Sequence, residues 1–117
     1  MNRAPTALNM PFDIARINEV IHGRVRLGIM TLLVARGGIE FKALRDFLSL
    51  TDGNLSTHLR KLEDAGYIVQ EKTFVGRKPL TSIALTETGR VAFLQYLDAM
   101  RVLLRDEDGI RDQLDES

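Results

Sequence analysis

The 117-residue chain has no cysteine, only two histidines, no net charge and no long apolar run. Each shortfall removes a class of explanation. Without cysteine there is no disulfide framework, no thiolate metal site and no cysteine nucleophile. His22 and His58 alone cannot build a histidine-rich zinc or copper site, so no metal and no cofactor is expected. A Gly-x-Ser-x-Gly elbow, a phosphate-cradling glycine loop and a His-Glu-x-x-His pair are all missing, and Gly37-Gly38 reads as a helix stop. The chain is not expected to be an enzyme. Its most apolar window, Ile29 to Ala35, is interrupted by Thr31 and falls short of the ~20 residues a membrane-crossing helix needs. Met1 to Pro11 holds one arginine and no apolar stretch of secretory type. A cytoplasmic protein without a membrane partner is therefore expected.

What is present fits a small folded domain. A chain of this length buries roughly 65% of its unfolded surface, enough for a core without staples. The zero net charge conceals an asymmetry. Residues 105 to 117 carry two arginines against six acids, a net of −4, and residues 1 to 104 carry +4. A mildly basic body suits a phosphate-bearing partner and equally suits an ordinary solvated surface, so charge alone does not decide.

Periodicity supplies the elements. Asp13 is placed to cap a first helix with Ile14, Ile17 and Ile21 in a stripe, ending near His22-Gly23. Arg24 to Arg36 reads as a second helix, so rich in Val25, Leu27, Ile29, Met30, Leu32, Leu33 and Val34 that it should be covered on most sides. Ile39 to Phe41 is a brief extended segment, and Lys42 to Leu48 a third helix. Ser49-Leu50-Thr51 then matches the turn of a helix-turn-helix.

The segment after that turn is the most informative in the chain. Leu55, Leu59 and Leu62 recur at i, i+4 and i+7 and so share one face of a helix. Asn54, Ser56, Thr57, Arg60 and Lys61 fall elsewhere on it and are donors and cations. Thr51 is suited to cap the first turn, and Gly66 to end the helix in a left-handed conformation. Asp52 favours the helix dipole but repels phosphate, which makes it a capping residue rather than a contact. His58, between the two faces, is read as a hydrogen-bonded packing residue. Tyr67 to Val75 and Leu80 to Thr86 form a β-hairpin with the basic tip Val75-Gly-Arg-Lys-Pro79. Thr86 caps a long final helix bearing two apolar stripes. Phe93, Leu97, Met100 and Leu104 make one; Ala92, Tyr96, Ala99 and Leu103 make the other.

This order of elements resembles the winged-helix transcriptional regulators of bacteria and archaea, particularly the small MarR- and ArsR-like ones. The resemblance spans about residues 14 to 104. It rests most on Asn54-Leu-Ser-Thr-His-Leu-Arg-Lys-Leu-Glu-Asp-Ala-Gly-Tyr-Ile, similar to a recognition helix entering the first wing strand. Ile83-Ala-Leu-Thr-Glu-Thr-Gly is similar to the second wing strand entering the last helix, and Gly76-Arg77-Lys78-Pro79 sits at the wing.

The fold this implies is mainly α with a small antiparallel β-hairpin, a winged helix-turn-helix in a single domain at 12–104. An N-terminal arm at 1–11, a dimerisation helix at about 87–104 and an acidic tail at 105–117 complete it. The implied function is that of a sequence-specific regulator binding double-stranded DNA as a homodimer. Asn54, Ser56, Thr57, Arg60 and Lys61 would serve the major groove, and Arg77 and Lys78 the adjacent backbone or minor groove. Ala92, Tyr96, Ala99 and Leu103 are the expected dimer interface. A small-molecule effector would have only the groove between the last helix and the wing.

Other readings compete. Asp52-Gly53 is also a hairpin-turn signal and Asn54-Leu-Ser56 a glycosylation pattern, but neither flank reads as a strand and no export signal precedes them. Arg60 and Lys61 could be plain surface residues paired with Glu63 or Asp64. The two stripes of the last helix could both be core. The alternative function is a winged-helix protein-interaction module without direct DNA binding.

Overall fold

The computed structural model describes residues 14–105. After a 3-10 turn at Ile14–Arg16 come helix α1 (Arg24–Arg36), strand β1 (Gly38–Glu40), helices α2 (Phe41–Phe47) and α3 (Asp52–Asp64), strands β2 (Ile68–Val75) and β3 (Lys78–Leu85), and helix α4 (Glu87–Leu104). The strands form one antiparallel sheet in the order β1-β3-β2. The expected hairpin is thus present and gains a third strand, because Ile39 pairs with Ile83. This is a winged helix.

The chain divides into two compact units, residues 19–93 and, among the described residues, 14–18 with 94–105. The expected domain at 12–104 takes in parts of both. The arm at 1–11, Asp13 and all of the acidic tail except Arg105 lie outside the described residues.

In the unit of residues 19–93 the core is apolar: Ile21, Ile29, Met30, Leu33, Leu44, Leu55, Leu59, Leu62 and Ile83 are fully buried, and Ile68 almost so. α1 supplies only Ile29, Met30 and Leu33 to it, while Val34 is 42% exposed. The expectation that this helix is covered on most sides is therefore corrected. Its apolar residues are spread around the axis, and only one side meets β1, β3 and α3.

The expected first helix is also corrected. Only one 3-10 turn forms, at Ile14–Arg16, and Ile14 is exposed. β-branched isoleucines favour helix weakly, and the carbonyls of Glu19 and Val20 accept from the guanidinium of Arg26.

The hairpin turn is tighter than the five-residue tip read from the sequence. Val75 pairs with Lys78, leaving Gly76 and Arg77 as a two-residue loop. Gly76 has φ +66° at the first central position, where a II′-type turn calls for glycine. Lys78 and Pro79 therefore belong to β3.

Candidate nucleic-acid interface

α3 is fixed at both ends by its own sequence. The Thr51 hydroxyl accepts from the Asn54 amide at 3.1 Å, the expected N-cap. At the other end Gly66, at φ +81°, allows a Schellman closure in which the Gly66 amide donates to Glu63 and the Tyr67 amide to Leu62. Leu55, Leu59 and Leu62 are fully buried, so one face of α3 is committed to the core. A hydrogen bond from Gln70 Nε2 to Glu63 Oε1 at 3.3 Å ties β2 to the same helix.

The opposite face is open. Gly53, Thr57 and Arg60 run along it at i, i+4 and i+7, flanked by Ser56 on one side and Asn54 and Lys61 on the other. All six are exposed. The Thr57 hydroxyl donates to the Gly53 carbonyl at 3.0 Å, which leaves its oxygen able to accept. Among the described residues neither Arg60 nor Lys61 has an ion-pair partner, so the competing pairing with Glu63 or Asp64 does not form.

Three further residues support the helix, and sequence reading missed two of them. Arg45 of α2 donates to Asp52 at 2.8 Å and to Asp46 at 2.9 Å. Asp52, then Asp46, raises the guanidinium's pKa. The carboxylate at the start of α3 is thereby partly neutralised, which lessens its repulsion of phosphate. Arg26 of α1 donates through Nη1 to His58 Nδ1 at 2.9 Å. That bond requires a neutral ring with its proton on Nε2. Desolvation, then the nearby charges of Arg26 and Lys61, lower the His58 pKa below 6.5. The half-buried histidine is the packing residue the sequence suggested, and no sequence pattern marked Arg26 as its partner or Arg45 as that of Asp52.

The hairpin presents the second group. Arg77 lies in the loop and Lys78 beside it, both exposed and without an ion-pair partner among the described residues. The root of the hairpin is locked to the start of α4. The Thr86 amide donates to the Tyr67 carbonyl at 3.0 Å, the Thr86 hydroxyl to the Gly66 carbonyl at 2.6 Å, and the Gly89 amide to the Thr86 hydroxyl at 2.9 Å. A Cβ on Gly89 would lie 2.1 Å from the Tyr67 carbonyl oxygen. Only glycine fits there, a constraint that no periodicity marks.

The expected dimer positions differ in exposure. Ala92 is 8% exposed and Tyr96 3%, so within a single chain they are already covered. Ala99 and Leu103 are half-buried. The apolar side chains that α4 leaves open are Val91, Leu94, Leu97 and Leu104, two of which belong to the other stripe.

Comparisons with known proteins bear on the fold. The profile of the winged helix DNA-binding domain matches residues 25–104. An uncharacterized protein of Methanocaldococcus jannaschii is 39% identical over 79 residues, covering 68% of this chain and 86% of its own. A transcriptional regulator homologue from Pyrococcus horikoshii superposes with a TM-score of 0.61 at 31% identity, over 87% of this chain and 95% of that one. A protein of Enterococcus faecalis assigned to the MarR family of transcriptional regulators superposes with a TM-score of 0.58 at 22% identity. It covers 100% of this chain and 96% of its own, and at that identity shows the fold alone. By sequence and by architecture, this chain belongs to the winged helix DNA-binding domain family.

Proposed function

We propose that the protein is a sequence-specific transcriptional regulator that binds double-stranded DNA as a homodimer. α3 enters the major groove, and the hairpin tip meets the adjacent backbone or minor groove. The observation that carries this reading is the open face of α3, a row of donors and cations backed by three buried leucines. A helix of ~10–12 Å diameter fits the major groove, whose base edges display donors and acceptors. Arg60 suits a guanine edge, Asn54 an adenine edge, and the Thr57 methyl a thymine methyl. The unpaired N–H groups of the first turn, with Gly53 beside them, suit a phosphate. Lys61, Arg77 and Lys78 supply positioning charge, and Ser56 a further hydroxyl.

A second copy would pack against Leu94, Leu97 and Leu104 of α4, with Ala99 and Leu103 at the margin. The two α3 helices would then reach successive major grooves about 34–36 Å apart on a near-palindromic site.

Gel-shift titration at two salt concentrations tests the assignment. Arg77→Ala and Lys78→Ala should each flatten the salt dependence by about one, and Arg60→Ala should cost about 1–3 kcal/mol of discrimination at one base pair. Unchanged binding in all three variants would contradict the assigned surface. A protein that passes a DNA column at low salt yet folds normally would favour the protein-interaction alternative.

A further inference from the structure

The outer half of the hairpin carries an exposed aromatic residue that the reading above leaves unused. Phe74 is 71% exposed and Val75 65%, both next to the turn. In β2, side chains alternate between the two faces of the sheet. Ile68, almost fully buried, and Gln70, bonded to Glu63 of α3, define the face that packs on α3. Lys72 and Phe74 continue that face outward, joined across the ladder by Thr81 opposite Lys72 and Pro79 opposite Phe74. Phe74 stands about 13 Å beyond Gln70 along the strand. It is therefore on the α3 side of the hairpin, past the point where the core ends.

Its surroundings choose the partner. Lys72 shares its face and Arg77 lies in the loop, whereas Lys78, paired with Val75, and the hairpin's one acid, Glu71, paired with Ser82, project from the opposite face. An exposed phenylalanine and proline flanked by Lys72 and Arg77 suit a polyanion with apolar surface beneath its charges. A DNA duplex has that chemistry: phosphates line the groove walls, and sugars and base faces lie inside. Phenylalanine and proline are among the side chains that wedge between base steps from the minor groove and bend the duplex.

The geometry points to Phe74, backed by Pro79, as an apolar wedge that enters the minor groove beside the site read by α3 and bends the DNA there. This rests on the DNA-binding reading and adds to it a source of specificity that needs no hydrogen bond to a base. Steps that unstack easily, pyrimidine followed by purine, should be preferred under the wing.

The probe is a duplex selected by the wild-type protein from a random-sequence pool, with affinity read by titration and bending by end-to-end fluorescence transfer. Phe74→Ala should lose about tenfold in affinity, keep the salt dependence of the wild type and abolish the bend, since no charge is removed. Phe74→Leu, still a wedge, should retain most of the bend. Because Phe74 is exposed, both variants should unfold at the wild-type temperature. A Phe74→Ala protein that binds and bends like the wild type would overturn the wedge while leaving the DNA-binding reading intact, as would an unbent duplex in the wild-type complex. If the wild type retained no duplex from the pool, the DNA-binding reading would fall first and the wedge with it.

Discussion

α3 and the outer half of the hairpin both present cations to solvent, yet they are held in opposite ways. α3 rests on three buried leucines, is capped at both ends, and is braced from α1 through Arg26 and His58 and from α2 through Arg45. Between Glu71 and Pro79 the hairpin has every residue exposed and, among the described residues, only its own ladder to hold it. The difference matches two kinds of task. Reading base edges needs side chains fixed to within fractions of an ångström, whereas phosphate contact tolerates movement because charge acts at a distance. Where the hairpin does need to be fixed is at its root, and there Thr86 and Gly89 clamp it to α4.

Gly89→Ala is the harshest way to break this division of labour. The added carbon would collide with the Tyr67 carbonyl, which is backbone and cannot swing away. We expect a loss of about 3 kcal/mol or more in chemical denaturation, among the largest effects of a single methyl group. A Gly89→Ala protein as stable as the wild type would show that the hairpin root is not clamped.

Ser49→Gly sharpens the comparison from the helix side. Ser49 has φ +55° in the turn before α3, where its amide donates to Asp46 and the Leu50 amide to Arg45. A left-handed non-glycine residue costs about 1–2 kcal/mol, and glycine's extra freedom in the unfolded chain returns about 0.5–1 kcal/mol of that. A net gain of about 0.5–1 kcal/mol should appear in thermal melts, and a loss would indicate that Ser49 does more than turn the chain.

The smallest effect is electrostatic. The His58 pKa is lowered in the folded protein, so the unfolded chain takes up the proton first as pH falls. The stability this contact contributes is present above pH 6.5 and is lost as pH falls through the lowered folded-state value. His58→Gln, which keeps an acceptor for Arg26 but does not titrate, should remove that slope from melts recorded as a function of pH. An identical slope in the variant would place the titration elsewhere.

The sequence was most legible where one residue type can do only one thing. The leucine row of α3, the Thr51 cap, the Gly66 stop and the Thr86 cap are local signals, and each stands where its spacing put it. It misled where apolar content was read as burial. α1 is apolar all round yet half open, and the α4 stripe chosen for a partner includes Ala92 and Tyr96, which the chain itself covers. Which stripe is covered depends on where the rest of the chain lies, and periodicity carries no such information. Arg26 was illegible because His58 is distant in sequence, Arg45 because its pairing with Asp52 across a turn leaves no periodic signature, and Gly89 because the atom it must avoid is the backbone of Tyr67. Phe74 and Lys72 could have been found: the two-residue period of β2, counted outward from Ile68, puts both on the α3 side.

The central claim is that the open face of α3 and the hairpin tip meet one duplex together. Backbone amide shifts followed by NMR, during titration with a duplex selected from random DNA, test it most directly. The largest changes are expected at residues 52–61 and 72–79, with β1 and Val69 little moved. Saturating binding that leaves the amides of 52–61 unshifted would contradict it.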